Sequence, residues 1–228
     1  MQRKFIFSVD EYYHIYNRGV EQRIIFIDNA DRYRFLKLMY LCNSHHPVNL
    51  VEISKGESFR HERGELLVDI GAYVLMDNHF HLLIKEREAG GISKFMSKVC
   101  TGYSMYFNKR HKHSGVLFQG VFQATHMDTD PLLEYIYSYI HLNPVKMIEP
   151  EWKEEGIKNS DEAVNFLDGY IFSSHLDYKN DQLRELSPIL NKEAFPEYFG
   201  TKTEFMDILN TWLRFQESDD EDLKRTPL

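Results

Sequence analysis

Met76-Asp77-Asn78-His79-Phe80-His81-Leu82-Leu83-Ile84 is the stretch whose reading decides how this chain folds. Alternate residues of a β-strand point to the same face. As a strand, His79 and His81 project side by side, and Phe80 turns the other way into a core. The apolar run Leu66–Leu75 precedes the stretch, and an Asp-Asn pair joins the two. Together they predict an antiparallel hairpin with the histidines opening its second strand. Two neighbouring imidazoles on a rigid strand are half of a metal site. By itself a His-x-His on a half-buried strand more often packs and hydrogen-bonds, so the rest of the chain has to supply a third ligand.

The 228 residues suffice for one good-sized domain with an appendage, and 43% hydrophobic with 14% aromatic content can build a core. No apolar run approaches the length of a membrane span, and a signal peptide is not expected at the start. Cys42 and Cys100 are the only cysteines, which argues against a disulfide framework or a cysteine-built zinc site. A reducing cytoplasm is the expected location. The net charge of −8 is unevenly placed: residues 148–228 carry −10 and residues 1–147 carry +2. Between residues 94 and 127 stand Lys94, Lys98, Lys109, Arg110 and Lys112 with no acid among them. A local cationic surface, or simply a solvated helix face, follows from that.

Working outward from the hairpin, Tyr12–Asn17 reads as a first strand closed by a turn at Arg18-Gly19. Asp28-Asn29 caps a helix over about 30–43, and 54–65 reads as a loop. A long helix runs from Ser93 to about Lys109, with Tyr103, Tyr106 and Phe107 at core spacing or, alternatively, available to stack on bases. Val116–His126 has strand composition interrupted by Gly120, implying two short strands or a bulge. Asp128-Thr129-Asp130-Pro131 starts a helix that Asn143-Pro144 ends or sharply bends. Short helices are expected over 160–168 and 201–216, and a solvated tail over Glu217–Asp222.

On the helix over 131–143, Tyr135, Tyr139 and Asn143 recur every four residues and share one face. Tyrosine can act as a covalent nucleophile, and an asparagine carbonyl can bind a divalent cation. An aromatic stripe on a helix is also what a core face looks like, and for Tyr135 that reading is preferred.

Met76-x-Asn78-His79-Phe80-His81-Leu82-Leu83, followed by a helix ending Tyr139-Ile140-His141-Leu142-Asn143-Pro144-Val145-Lys146, resembles the IS200-type HUH tyrosine transposases. The likeness is greatest to their REP-associated branch. Tyr13-His14, Asn17-Arg18-Gly19, Ile25-Phe26 and Asp31–Phe35 are similar to the family's opening. Gly115–Gly120 resembles the segment before the tyrosine helix, and Tyr170–Ser174 through Tyr178 resembles the element that closes the domain.

The resemblance implies a ferredoxin-like α+β fold, with a central antiparallel sheet and helices mainly on one face. Residues 1–180 would form the domain, and 181–228 an acidic, partly helical extension. His79 and His81 become metal ligands, Asn143 a third amide-bearing ligand and Tyr139 the nucleophile, with Tyr135 as the rival. The implied chemistry is cleavage and rejoining of single-stranded or hairpin DNA through a covalent 5′-phosphotyrosine. Mg²⁺ or Mn²⁺ would serve as cofactor, and Mn²⁺ accepts imidazole more readily.

Arg18 and the five cations of 94–112 are the candidate phosphate contacts. His14, His111, His113 and His126 are further polar candidates. A non-catalytic DNA-hairpin binder is the rival from a different class, and an RNA phosphoesterase is a third reading that lacks its second paired-histidine motif. The protein would act as a monomer or as a homodimer exchanging tyrosine helices.

Overall fold

Alternation along one strand sorts the interior into two. In the computed structural model, which describes residues 6–47, 58–180, 182–196, 203 and 207, β3 (His79–Glu86) is an inner strand. It lies between β2 (Val68–Leu75) and β1 (Tyr12–Arg18), and β4 (Gln123–His126) pairs with the far side of β1. Every neighbouring pair is antiparallel, in the order β2-β3-β1-β4. With α1 (Asn29–Cys42) linking β1 to β2 and α2 (Gly91–Arg110) linking β3 to β4, this is the expected ferredoxin-like α+β arrangement.

Phe80, Leu82 and Ile84 face α1 and α2, in one apolar cluster with Tyr13 and Ile15 of β1 and Phe35, Leu36, Phe95 and Val99 of the helices. His81 and Leu83 face the other way, where Ala72 and Val74 of β2 meet α3 (Asp130–Leu142). Helices therefore lie on both faces: the two long ones share the first, and α3 takes the second. On β2 the parity changes at a bulge between Ile70 and Ala72, so that Ile70 and Tyr73 both reach the first cluster.

Each helix starts where local chemistry satisfies its free amides. Asp28 accepts from the Asp31 amide at 3.1 Å, and Thr129 caps α3 ahead of Pro131. The buried Glu86 carboxylate accepts from the amides of Gly90 (2.7 Å) and Ile92 (2.8 Å), tying the end of β3 to the start of α2. Asn143 follows α3 directly and opens a tight turn over Asn143–Met147.

The hairpin turn is held from outside. The Asp77 carbonyl accepts from the amides of Ile25 and Phe26, the Asn78 carbonyl from Gly19, and Arg32 pairs with Asp77. The expected strand over 116–126 shrinks to β4. Phe118 makes only an isolated bridge to Gly19, because Gly115 and Gly120 adopt positive φ and turn the chain out of line.

Residues 182–196 lie against the domain. Arg184 binds Asp177 and the Tyr73 hydroxyl, Asn191 reaches the Ile70 carbonyl, and Phe195 covers Gly71, where a Cβ would come within 2.7 Å of its ring. Of the expected helix over 201–216 only residues 203 and 207 are described, both helical; the tail over 217–222 falls outside the described residues, as do residues 48–57.

Candidate active site

His79 and His81 stand on the α3 side of the sheet with ring centroids 5.0 Å apart. Directly opposite them on β1 are Arg18 and Tyr16, and His14 lies one alternate position further along. Tyr139 comes down from α3 with its ring edge-on to His81 at 5.4 Å, in the same chain. Asn143 is one turn beyond, buried at 1% exposure. The residues that spacing nominated thus meet at one place, although about 60 residues of sequence separate the histidines from the tyrosine.

Both histidines are fixed through Nδ1. His79 Nδ1 lies 2.6 Å from the Asn78 side-chain oxygen, whose amide nitrogen donates to the Gln22 carbonyl. An amide oxygen only accepts, so His79 donates from Nδ1 and keeps its lone pair on Nε2. His81 Nδ1 lies 2.8 Å from His14 Nε2. Burial keeps all three imidazoles neutral at ordinary pH. The value for His79 falls to about 4 and for His14 to about 3, mainly by desolvation, and His81 is held well below its ordinary value by burial and its histidine neighbours.

Burial also raises the Tyr139 phenol above its ordinary value, Tyr135 adds to that, and Asn143 partly offsets it. Asn143 acts on both His79 and Tyr139, yet its Oδ1 accepts no aligned hydrogen bond from either. Lys153 sits over the Tyr139 ring, 5.5 Å from its centroid.

Among the described residues, no group of three His, Cys, Asp or Glu side chains is arranged so as to hold a metal ion. The candidate set is two imidazoles and an amide, and the fit shows in what is left over. His81 Nε2 and Asn143 Oδ1 are buried with no hydrogen-bond partner. An orphaned buried acceptor costs about 1–3 kcal/mol unless something binds it, and both atoms are ordinary ligands of a divalent cation.

A cleft of about 1020 Å³ opens at the site, lined by Tyr16, Asn17, Arg18, His79, His81, Gln119, Gln123, Tyr139 and Lys146 among others. Sequence reading picked out neither Tyr16 nor Gln123, which face the cleft because they pair across β1 and β4. Lys146 stood in a recognised motif without a role.

The α2 cations are placed elsewhere. Lys98 donates to the carbonyls of Ser44 and His46 at 2.6 and 2.8 Å, closing the end of α1. Arg110 binds Asp28 and Asp31. Lys94 lies beside His45, and Lys109 and Lys112 are exposed. None of the five lines the cleft, because α2 packs on the opposite face of the sheet; Arg18 does line it. Tyr103 and Phe107 are core residues, and Tyr106 packs against that core. His111 binds Asp31 and His126 binds Glu11, so neither is part of the site.

Residues 37–143 match the family model described as transposase IS200 like. Over that stretch, just under half of the chain, the sequence is similar to the IS200-like transposase family. The matched stretch begins inside α1 and ends on Asn143, so it contains His79, His81 and Tyr139 but leaves β1 outside. A solved REP-associated tyrosine transposase, bound in that structure to a REP hairpin, is similar at 12% identity over 81% of this chain and 89% of its own, with a TM-score of 0.48. No curated protein matches the sequence. Among the described residues, no helix is long and apolar enough to cross a membrane.

Proposed function

We propose that this chain is a metal-dependent DNA strand transferase. In this reading Tyr139 attacks a phosphodiester of single-stranded or hairpin DNA, and His79, His81 and Asn143 hold a Mg²⁺ or Mn²⁺ ion. One observation carries the reading. Tyr139 stands against His81 of its own chain, with His81 Nε2 and Asn143 Oδ1 buried and unpartnered beside it. That arrangement also favours Tyr139 over Tyr135, whose ring stacks behind it at 6.1 Å and does not line the cleft. It favours action in cis, within one protomer.

The phenolic oxygen forms a bond to phosphorus, and the bond to the 3′ oxygen breaks. The phenol proton is balanced by the one the 3′ oxygen takes up, leaving a 5′-phosphotyrosine and a free 3′-OH. Rejoining reverses the exchange without an external energy source. A bound divalent cation supplies Lewis-acid polarisation of the phosphate. The chain's own part is to position and to exclude. β3 fixes the imidazoles, α3 sets the phenol beside them, and Asn143 favours the phenolate that burial otherwise opposes. Arg18 and Lys146, both exposed at the cleft, contact the DNA backbone. Residues 1–180 carry this chemistry, and residues 182–196 support it by packing on β2.

The low exposure of Tyr139, 6%, equally suits a silent relative that binds hairpin DNA without cutting it. A labelled hairpin oligonucleotide incubated with the protein and Mn²⁺ separates the two. The proposed activity gives a denaturant-stable protein–DNA adduct. Binding without any adduct selects the silent reading.

A further inference from the structure

The inner strand β1 contributes a histidine that the family match does not reach. His14 is completely buried, its ring stacked on that of His81 at 5.0 Å and 20°. Its Nε2 and His81 Nδ1 are 2.8 Å apart, while His14 Nδ1 and His81 Nε2 have no hydrogen-bond partner. Two neutral imidazoles at that distance share one proton, and where it sits decides what His81 can do.

A neutral imidazole has one N–H and one lone pair. If His14 donates from Nε2, then His81 accepts at Nδ1 and carries its own hydrogen on Nε2, where it blocks ligation. If His81 donates from Nδ1, His14 accepts at Nε2, and the lone pair of His81 is free on Nε2. Each arrangement leaves one buried N–H and one buried lone pair unpartnered, so nothing internal to the pair separates them strongly. A ligand for the His81 lone pair selects the second.

We infer that His14 is a positioning residue: it is the acceptor that holds the ring of His81 and its Nδ1–H tautomer, leaving Nε2 free to bind a divalent cation. The inference rests on the metal-site reading above. It parallels the role of the Asn78 side chain at His79, with a difference. Asn78 Oδ1 can only accept, whereas His14 can hold the proton on either side. Outer partners of this kind commonly contribute about 10–100-fold to metal affinity.

The test is Mn²⁺ binding to the full chain, read by electron paramagnetic resonance or calorimetry, in wild type, His81→Ala, His14→Phe and His14→Gln. His14→Phe keeps an aromatic ring against His81 without an acceptor. His14→Gln offers an amide oxygen to the Nδ1–H. The expected result is a loss of affinity of about 10–100-fold in His14→Phe, recovery of most of it in His14→Gln, and loss of binding in His81→Ala. Wild-type affinity in His14→Phe, with His81→Ala still defective, overturns the role of His14 and leaves the metal site standing. No Mn²⁺ binding by wild type, or unchanged binding in His81→Ala, overturns the site reading and this inference with it. Should His14→Phe fail to fold, long-range ¹H–¹⁵N spectra of the wild-type chain loaded with Cd²⁺ decide. A proton on His81 Nδ1 with the ion on Nε2 supports the inference, and a proton on His81 Nε2 overturns it.

Discussion

The two faces of one four-stranded sheet are built on opposite plans. Under α1 and α2, the inward residues of β3 are Phe80, Leu82 and Ile84, all fully buried and enclosed by apolar side chains. Under α3, the same strand presents His79 and His81, and β1 presents His14 and Tyr16. The tyrosine hydroxyls of the first face are partnered, that of Tyr103 donating to the Ile25 carbonyl and that of Tyr13 accepting from the Ser8 amide. The second buries two imidazole nitrogens and an amide oxygen without partners. A chain that keeps orphaned polar atoms on one face relies on the other for stability, so substitutions on the two faces should fail in different ways.

The sharpest contrast sets His81→Ala against Phe80→Ala, adjacent residues on opposite faces. His81→Ala is expected to reduce DNA cleavage by about 10³-fold or more, because several kcal/mol of metal assistance go with it. Its urea midpoint should move far less than that of Phe80→Ala. Phe80→Ala should cost about 3–5 kcal/mol of stability by opening a cavity between α1, α2 and the sheet, measured by urea denaturation. Equal stability losses in the two variants would erase the distinction.

Acid provides a milder test of the α3 face. His14 and His141 are buried neutral, the latter on α3 against Ser174, and both are held below the ordinary histidine range chiefly by desolvation. Their folded values lie below their unfolded ones. The unfolded chain therefore binds more protons once the pH falls below about 6.5, and stability decreases as the pH drops toward the folded values. From pH 7.5 to 5.5, each such histidine should remove about 1–2 kcal/mol, read from urea midpoints at the two pH values. Unchanged stability over that range would mean that the imidazoles are charged or solvated.

The smallest effect concerns DNA contacts. Arg18→Ala or Lys146→Ala should weaken oligonucleotide binding by several-fold and lower its salt dependence by about one ion. Lys109→Ala, on the α2 face, should leave both unchanged. Fluorescence anisotropy across a salt series measures this, and equal losses at Lys109 and Arg18 would extend the binding surface around to α2.

Much of the polar face was legible in the sequence. The alternation through His79-Phe80-His81 assigned the two faces correctly, and the four-residue spacing of Tyr139 and Asn143 placed them on one helix face. What local pattern could not supply was non-local pairing. His14 meets His81 because β1 and β3 are neighbours in a particular register, and nothing within either strand states that register. The bulge that flips β2 at Gly71, and the bend that leaves only Gln123–His126 as β4, are similarly set by partners distant in sequence. The α2 cations lie away from the cleft, which local pattern could not show for a different reason. Helical spacing shows which residues share a face, but not that Lys98 and Arg110 spend their donors on the end of α1 and on Asp28 and Asp31.

The most direct test of the polar face is to locate the covalent bond. A hairpin oligonucleotide incubated with Mn²⁺ and wild type, Tyr139→Phe or Tyr135→Phe protein would be followed by digestion and mass spectrometry of the adducted peptide. The account predicts a 5′-phosphate on Tyr139 in wild type and in Tyr135→Phe, and no adduct in Tyr139→Phe despite retained DNA binding. An adduct on Tyr135, or undiminished adduct formation by Tyr139→Phe, would contradict it.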